Sequence, residues 1–514
     1  MLILDGFGIT PEKTGNAVLN TQTPNLDTIV ENFPDCLLKA SAEEVGLPWG
    51  EFGSSEVGHT TIGMGRIVLQ DLPQITKLIT SGSIAKKTKF IKILNLIDRG
   101  SSVHLLFLMS NGGVHGHILH LIGLVKIIKE LRPKAKIVLH IICDGRDVAE
   151  KSANLFLDQI NKEIGKLVTF GSMMGRYYAM DRDKNWDRTQ AAYDAILGET
   201  SHAIKPEDVI NDNYKTGKTD EFFEPTSFGG GAFNPAGDIM IFTNYRSDRA
   251  IQITRAFVDI SLKDIKRTNL SRNFFSMTTY DDNLGLNVLF SNIELNNPET
   301  NSLIHPISEI VSKNSLRQLH IAETEKFAHI TYFFSGGNRT KFPLEDDILI
   351  PSKKLATYDL FPQMRAIEIS NEIIKASNVG YNFITANFAN GDMVGHSGNF
   401  EATQKALTIL DGAVGKCLGV LLKNEYDVFI TGDHGNCDEM IDFASGKPNK
   451  EHTLNPVPFI NCNLKRKKKS GSKERFFGQD PIGILADIAP TILNSLNINK
   501  PAEMTGINLK SMMN

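Results

Sequence analysis

Carboxylate and imidazole side chains recur at close spacing in the C-terminal part of this chain. They are Asp392 and His396, which are four residues apart, the adjacent Asp433 and His434, and His452. Manganese, zinc and iron accept both carboxylate oxygen and imidazole nitrogen as ligands. Each feature alone is more typical of a surface or helix-capping pair, and a lone histidine is more often structural. Three such features near the ends of candidate strands predict a metal site.

A second group of polar residues lies near the start of the chain. Asp5 follows an apolar run and precedes Gly6 and Gly8, which allow the backbone to approach a ligand closely. Ser55 lies between glycines, where we expect a loop-to-helix junction whose backbone N–H groups would bind a phosphate. A serine hydroxyl needs a base or a metal to become a good nucleophile. Two metals would suffice, one activating Ser55 and the other polarising phosphoryl oxygens. The alternative is an ordinary helix-capping serine.

Arginines are concentrated in loops in the middle of the chain, together with an aspartate and a histidine. The residues are His115, Arg146, Asp147, Arg176, Arg182, Arg246 and Arg249. The planar guanidinium group binds carboxylate and phosphate through two hydrogen bonds at once. Any one of these arginines could instead form a surface salt bridge. Five at loop positions within one segment favour a surface that binds a small anion, and we expect His115 to open a helix.

Short apolar runs alternate with amphipathic stretches along the whole sequence. Candidate strands are Leu2–Leu4, 104–109, 137–142, 167–170, Ile239–Phe242, 383–387 and Val428–Thr431, and candidate helices are 115–131, 187–197, 364–376 and 401–423. Strands that alternate with helices predict an α/β fold with mainly parallel sheets. Ligands of such sheets bind at the carboxyl ends of strands, where Asp5, Asp433 and His434 would lie.

Two segments interrupt this alternation and divide the chain. Residues 68–83 follow a glycine-rich stretch, and residues 291–302 are rich in asparagine. If both are linkers, a domain at 70–301 is inserted into an outer domain formed by 1–69 and 302–514. The outer domain then joins both ends of the chain, which carry the candidate metal ligands. A basic run at 465–469 fits a solvated loop better than a signal for binding polyanions.

Composition and charge narrow the class of protein. The net charge of −4 is small for 514 residues and argues against a nucleic-acid or anionic-membrane partner. No apolar run approaches the ~18 residues of a membrane span. The five cysteines are dispersed, and the start of the chain is unlike a signal peptide. We therefore expect reduced thiols and a cytoplasmic location.

Taken together, these sequence motifs resemble those of the cofactor-independent phosphoglycerate mutases, a branch of the alkaline-phosphatase superfamily. The matching stretches run in family order at 3–8, 53–65, 112–117, 144–147, 175–188, 245–249, 324–337, 387–396, 431–438 and 452–458. They extend over essentially the whole chain, and their combination is highly specific. Ser55 with Asp433 and His434 would by themselves indicate only the superfamily.

The resemblance implies an α/β fold in which one domain binds the metals and the other binds the substrate. A three-layer α/β/α domain of the alkaline-phosphatase type would hold two divalent metals, and an inserted α/β domain would hold the substrate. One metal would be bound by Asp5, Ser55, Asp433 and His434, and the other by Asp392, His396 and His452. The family favours manganese, with magnesium, cobalt or zinc as alternatives, and requires no bisphosphoglycerate.

The reaction implied by the resemblance is the interconversion of 3-phosphoglycerate and 2-phosphoglycerate by a monomeric enzyme. Ser55 would accept the phosphoryl group and return it, and Lys326 would stabilise phosphoryl charge. The glycerate would be oriented by His115, Arg146, Asp147, Arg176, Arg182, Arg246 and Arg249. Closure of the inserted domain would exclude water, which otherwise hydrolyses the phosphoserine.

Two alternatives stay open. A metal-dependent phosphatase or phosphopentomutase of the same superfamily would share the metal ligands and Ser55 but would not need the 144–147 and 175–182 stretches. A non-catalytic metal- and phosphate-binding descendant would be favoured by a missing ligand or nucleophile, and none is missing. The sequence departs from the family pattern in its short lead-in to Asp5, in Ser54 where asparagine is usual, and in a more basic stretch at 465–477.

Overall fold

The computed structural model describes residues 1–69, 71–200, 202–203, 205–229, 231–267, 269–290, 305–338, 340–468 and 471–513. The chain forms two compact units. The outer unit comprises Met1–Gln70 and Thr300–Asn514, and the inserted unit comprises Asp71–Glu299. The expected linker at 291–302 lies outside the described residues.

Within the described residues, each unit contains one eight-stranded, mainly parallel sheet. The strands are β1 (Leu2–Leu4), β2 (Asp35–Lys39), β3 (Val103–Met109), β4 (Ile137–Cys143), β5 (Thr169–Gly175), β6 (His202–Ala203), β7 (Thr226–Phe228), β8 (Ile239–Phe242), β9 (Phe274–Ser276), β10 (Asn287–Val288), β11 (Gln318–Glu323), β12 (Glu345–Ile350), β13 (Phe383–Phe388), β14 (Val428–Thr431), β15 (Val457–Cys462) and β16 (Pro481–Ile484). The outer sheet has the order β12-β11-β13-β1-β14-β15-β2-β16, with β15 antiparallel to both neighbours. The inserted sheet has the order β10-β9-β8-β3-β4-β5-β7-β6, with β7 antiparallel to β5.

The outer sheet is covered on both faces, as parallel sheets usually are. Along β1, Leu2 and Leu4 pack into one apolar cluster with the helices Ala366–Asn378 and Phe400–Lys423, whereas Ile3 packs into a second cluster with helices on the opposite face. The result is a three-layer α/β/α arrangement. The α-helices of this unit are Ala17–Asn20, Pro24–Asn32, Ser55–Met64, Ile307–Lys313, Thr324–Ala328, Ala366–Asn378, Asn390–Gly395, Phe400–Lys423, Lys473–Phe477 and Ile488–Ser495.

The inserted sheet is also buried on both faces. Phe107 of β3 packs into one apolar cluster with the helix Ile118–Leu131, and the neighbouring Leu106 packs into another with the helix Trp186–Ile196. The α-helices of this unit are Asp71–Thr80, Thr88–Asp98, Ile118–Leu131, Ala153–Ile164, Arg176–Ala179, Trp186–Ile196, Pro206–Lys215 and Ile251–Val258. The α/β class expected from the alternation of elements is confirmed.

Most of the expected strands form where apolar runs predict them. Leu2–Leu4, Ile239–Phe242 and Val428–Thr431 have the expected bounds, and β3, β4 and β13 are each one residue longer than expected. The strand expected at 167–170 is misplaced, because a 3-10 turn at Gly165–Leu167 delays β5 until Thr169.

Two local expectations are wrong. Residues 68–83 contain the boundary between the two units, which lies at Gln70 and Asp71, but most of the segment is the amphipathic helix Asp71–Thr80, so a linker over its full length is wrong. His115 does not open a helix: His117 is the N-cap, its Nδ1 accepts a hydrogen bond from Leu119 N, and the helix begins at Ile118. His115 therefore lies in the glycine-containing loop after β3.

The basic stretch after β15 is partly structural instead of fully solvated. Lys468 forms an ion pair with the fully buried Asp35, and Arg475 Nη2 donates to the same carboxylate at 3.2 Å. Residues 469–470 of this stretch lie outside the described residues. The five cysteines are buried and free of disulfides. Among the described residues, none of the helices combines the length and apolar character that crossing a membrane requires.

Candidate active site

The carboxyl ends of three neighbouring strands bring the acidic residues together. β1 lies between β13 and β14 and is parallel to both. Asp5 directly follows β1, Asp433 follows β14 after one glycine, and Asp392 lies in the short helix Asn390–Gly395 after β13. All three carboxylates are buried. Parallel strands that end at one sheet edge are a common way to build a ligand site.

Ser55 is the first residue of the helix Ser55–Met64, as the junction of loop and helix predicted. The preceding Ser54 is the N-cap and accepts a hydrogen bond from the backbone of the first turn. Close packing of this helix depends on Gly58, where a Cβ atom would lie 2.5 Å from the backbone oxygen of Asp433. The helix N-terminus therefore presents Ser55 directly to the carboxyl ends of the strands.

The Ser55 hydroxyl is surrounded by three polar groups. Its Oγ lies 3.2 Å from Asp5 Oδ1, 2.9 Å from His434 Nε2 and 2.6 Å from Lys326 Nζ. Ser55 is itself only 6% exposed. A buried hydroxyl between an ammonium group, a carboxylate and an imidazole has the surroundings expected of an activated nucleophile.

Lys326 is the ammonium group at the centre of this cluster. Its Nζ also lies 2.7 Å from Asp5 Oδ1 and 2.6 Å from Asp392 Oδ2. Burial alone would lower the pKa of Lys326, but Asp392 and Asp5 raise it above its usual value. The lysine is therefore charged and partly compensates the buried carboxylates.

Asp392 also binds two histidines. Its Oδ1 lies 3.1 Å from His396 Nε2 and 3.2 Å from His452 Nε2. The Nδ1 atoms of these rings lie 2.6 Å from Lys450 O and 2.7 Å from Gly53 O, respectively. Backbone carbonyls at Nδ1 orient the Nε2 atoms towards Asp392, which is how proteins commonly orient metal-binding histidines.

The donor set of this cluster fits divalent metal ions. Asp5 and Asp392 share the ammonium group of Lys326, and burial together with the buried carboxylate of Asp433 raises the pKa of Asp5. Asp433 Oδ2 is buried and accepts no hydrogen bond among the described residues. Two sets of donor atoms lie within 4.8 Å of one another, namely Asp5, His59 and Asp433, and Asp392, His434 and His452. Oxygen and imidazole donors of this kind suit manganese and zinc.

In the inserted unit, Arg176 is held by two aspartates. Arg176 Nη1 donates to Asp144 Oδ1 at 2.5 Å and to Asp147 Oδ2 at 2.6 Å. The guanidinium group is 2% exposed. Asp144 also accepts hydrogen bonds from the backbone of Arg146 and Asp147, so it ties the loop after β4 to the start of the helix Arg176–Ala179.

One imidazole and two guanidinium groups of the inserted unit gather around Asp248. Its carboxylate lies 3.5 Å from His115 Nδ1, 3.0 Å from Arg182 Nη1 and 3.0 Å from Arg246 Nε. Burial and the positive charges of Arg182, Arg176 and Arg146 lower the pKa of Arg249. This mutual repulsion shows that the arginines form one cationic cluster, which favours binding of an anion.

Comparisons with known proteins identify the family. The model of the Metalloenzyme superfamily matches residues 1–500. A 2,3-bisphosphoglycerate-independent phosphoglycerate mutase of Clostridium botulinum strain Langeland is 44% identical over 99% of this chain and 98% of its own length. The enzyme of the same name from Clostridium novyi is 43% identical over the same shares of the two chains. This chain belongs to the 2,3-bisphosphoglycerate-independent phosphoglycerate mutase family.

A solved structure of the family has the same fold. A crystal structure of Leishmania mexicana phosphoglycerate mutase at low cobalt concentration matches 98% of this chain and 96% of its own, with a TM-score of 0.61 and 28% identity. Divalent metal use by this mutase family agrees with the donor set described above.

The structure places the family-derived residues of this mutase in two groups. The outer unit holds Ser55, Lys326 and the six predicted Asp and His metal ligands. The inserted unit holds the seven predicted glycerate residues. Among these seven, Arg146 Nη1 lies 3.5 Å from Glu221 Oε1. His434 Nε2 lies between the two predicted ligand sets, 3.6 Å from Asp5 Oδ1 and 4.0 Å from Asp392 Oδ1. How the ligands divide between two metals stays a prediction.

Three residues of the mutase site were missed in the sequence. His59 Nδ1 lies 3.3 Å from Asp433 Oδ2, and Asn387 Nδ2 donates to Asp5 Oδ2 at 2.7 Å. His59 follows Ser55 by four residues on one helix face, a spacing that was readable. Asp248 stands between the predicted residues Arg246 and Arg249, and nothing in that local string distinguishes its carboxylate from a surface ion-pair partner.

Proposed function

We propose that this member of the family interconverts 3-phosphoglycerate and 2-phosphoglycerate through a phosphoserine at Ser55. The observation that carries the proposal is the buried Ser55 hydroxyl within 3.2 Å of Asp5, His434 and Lys326. The relatives that match this chain over nearly their whole length are named phosphoglycerate mutases, and they support the same reaction. The reaction is an isomerisation, so no net phosphate is released.

Two divalent metals would be held by Asp5, Ser55, Asp433 and His434, and by Asp392, His396 and His452. Ions at these ligands, when bound, lower the pKa of the serine hydroxyl and neutralise phosphoryl charge. His59 lies against Asp433 and belongs to the same donor set. Manganese is the metal proposed, with magnesium, cobalt or zinc as alternatives, since carboxylate and imidazole donors accept each of them.

Neither phosphoryl transfer consumes water. The bond from Ser55 Oγ to phosphorus forms as the ester bond between phosphorus and the glycerate 3-oxygen breaks, and the proton lost by Ser55 ends on that oxygen. The bound glycerate then turns, and its 2-hydroxyl takes the phosphoryl group back from Ser55 as the proton returns. Lys326 Nζ, 2.6 Å from Ser55 Oγ, stabilises the charge on the phosphoryl oxygens in both transfers.

The cationic cluster of the inserted unit is proposed to hold the glycerate between the two transfers. Arg176, fixed by Asp144 and Asp147, provides a rigid positive group, while Arg182 and Arg246 are about half exposed and accessible to an anion. Retaining the glycerate is what distinguishes a mutase from a phosphatase, which releases it. We propose a monomeric, cytoplasmic enzyme whose partner is this small molecule and which needs neither nucleic acid nor membrane. The small net charge and buried free cysteines support this view.

The test is a coupled assay of 3-phosphoglycerate conversion by chelator-treated protein reloaded with Mn²⁺, without bisphosphoglycerate. We expect activity only after reloading. Ser55→Ala should lower kcat at least about a thousand-fold, because no other hydroxyl takes over the transfer, whereas the adjacent Ser54→Ala should retain most activity. Normal turnover by Ser55→Ala would refute the phosphoserine.

Free phosphate measured in the same assay separates the alternatives. Release of phosphate as fast as 2-phosphoglycerate forms would favour a phosphatase. Isomerisation of pentose phosphates in preference to phosphoglycerate would favour a phosphopentomutase.

A further inference from the structure

A third group of metal-ligating side chains lies in the outer unit, between β11 and β12. Parallel pairing sets His320 beside Asp347 and Gln318 beside Glu345. Residues two apart on a strand project from the same face, so both carboxylates lie on the face of the His320 imidazole. His320 Nδ1 is 3.9 Å from Glu345 Oε1 and 3.7 Å from Asp347 Oδ1. None of these residues belongs to the cluster around Ser55.

The imidazole of His320 has no polar partner among the described residues. Its side chain is fully buried, and neither Nδ1 nor Nε2 takes part in a hydrogen bond. The ring of Phe334 packs against it in a T-shaped arrangement. Distances of 3.7 and 3.9 Å are too long for hydrogen bonds to the carboxylates. Leaving such a group buried and unpaired is unfavourable.

Each carboxylate leaves one oxygen facing the imidazole. Lys341 Nζ contacts Asp347 Oδ2 at 2.7 Å, and Phe342 N donates to Glu345 Oε2 at 3.4 Å. Asp347 Oδ1 is buried and accepts no hydrogen bond among the described residues. Burial and the neighbouring Asp347 raise the pKa of Glu345 to about 7. Lys341 contacts only Asp347 of these two crowded carboxyl groups, and a further cation would relieve their repulsion.

We propose that His320, Glu345 and Asp347 form a third binding site for a divalent transition metal. Metal bonds to imidazole nitrogen and carboxylate oxygen are about 2.0–2.2 Å long, so two ligands of one ion lie at most about 4.2 Å apart. The observed separations fall inside this limit. Because β12 pairs only with β11 in the described part of the chain, the ion fastens an edge strand to the sheet. Its role is structural, separate from catalysis.

The experiment compares the zinc content of full-length wild type and His320→Leu after equilibrium dialysis against Zn²⁺, by mass spectrometry of the metal. We expect the variant to bind one equivalent less and to keep its activity. The control is His305→Leu, because His305 Nδ1 pairs with Glu309 at 3.1 Å without a second carboxylate; it should match wild type. Equal zinc content in wild type and His320→Leu overturns the proposal.

Asp347→Asn provides the second variant, since it keeps the shape of the side chain and removes the ligand charge. It should also lose one equivalent of zinc. If circular dichroism shows that His320→Leu does not fold, the zinc content of Asp347→Asn alone tests the proposal. Wild-type zinc content in either variant that folds overturns the proposed site. The quantity measured is a difference of one equivalent of bound zinc, so the result does not depend on which reaction the enzyme catalyses.

Discussion

Lys326 shows how much depends on a single charge. Its ammonium group contacts Asp5, Ser55 and Asp392 within 2.7 Å and is buried. Burial opposes ionisation of Asp392, but Lys326 and the hydrogen bonds from His396 and His452 hold its pKa well below its usual range. Removing one partner of a buried ion pair leaves the other charge uncompensated, which costs more than the pair contributes.

We therefore expect Lys326→Met to destabilise the metal-free protein by about 3–5 kcal/mol. Mn²⁺ should restore part of that stability, because a cation again neutralises the carboxylates. Activity should fall at least about a hundred-fold even with metal, since one donor to the phosphoryl oxygens is gone. Urea denaturation with and without Mn²⁺ and the coupled assay measure the two effects.

Lys375→Met is the matched control for Lys326→Met. Its ammonium group pairs with Glu372 on the helix surface and is 70% exposed. A change of less than about 1 kcal/mol is expected there, because surface ion pairs contribute little. A similar loss in both variants would show that the buried position of Lys326 is unimportant.

The helix Ser55–Met64 is the element that connects fold to chemistry. Two of its glycines touch other backbone: a Cβ atom at Gly58 would lie 2.5 Å from Asp433 O, and one at Gly63 would lie 1.9 Å from Phe334 O. The helix thus lies closer to its neighbours than any side chain would permit. Its position sets where Ser55 meets the metal ligands.

Gly58→Ala is expected to push this helix away from Asp433 and to lower kcat by tens-fold or more, because misplacement by about 1 Å costs on that order. The overall fold should survive, since the added volume is one methyl group. The coupled assay and circular dichroism measure the two outcomes.

Gly412→Ala in the helix Phe400–Lys423 is the control for the effect of alanine itself. A Cβ atom there meets nothing within 4 Å. Alanine should stabilise this helix by up to about 1 kcal/mol and leave activity unchanged. Full activity of Gly58→Ala would mean that the close approach has no functional role.

At the scale of the whole molecule, both units bury neutral histidines. Burial lowers the pKa of His120 to about 3 and that of His320 to about 4, and burial with the neighbouring His104 lowers the pKa of His140 well below its usual value. In the unfolded chain these histidines have a pKa of about 6.5, so below that pH they bind more protons than in the folded chain. The contribution of these histidines to stability is therefore fully present above about pH 6.5 and is lost as the pH decreases.

His120 allows this effect to be measured in the inserted unit alone. Each such histidine removes up to about 1.4 kcal/mol per pH unit between about pH 6.5 and its folded pKa. In a Trp49→Phe background, Trp186 is the remaining tryptophan and reports on the inserted unit. We expect His120→Gln to flatten the decrease of the urea midpoint between pH 6.5 and 4.5. An unchanged slope would show that His120 does not contribute.

The sequence alone determined the alternation of strands and helices, because short apolar runs and apolar patterns of period 3.6 are local features. It also indicated Ser55, Lys326 and the Asp and His ligands, through the glycines around them and the resemblance to a family. Local pattern failed within residues 68–83, most of which form the amphipathic helix Asp71–Thr80, and at His115, since His117 caps the following helix instead.

The tertiary structure decided which residues meet. Asp5 and Asp433 are far apart in the chain but adjacent in the sheet, because β1 inserts between β13 and β14. Asn387 and Asp248 belong to the site only because the fold brings Asp5 to Asn387 and His115 to Asp248. The register of β11 against β12 likewise brings His320 to Asp347. Strand order and register arise from long-range packing, which no local stretch of sequence encodes by itself.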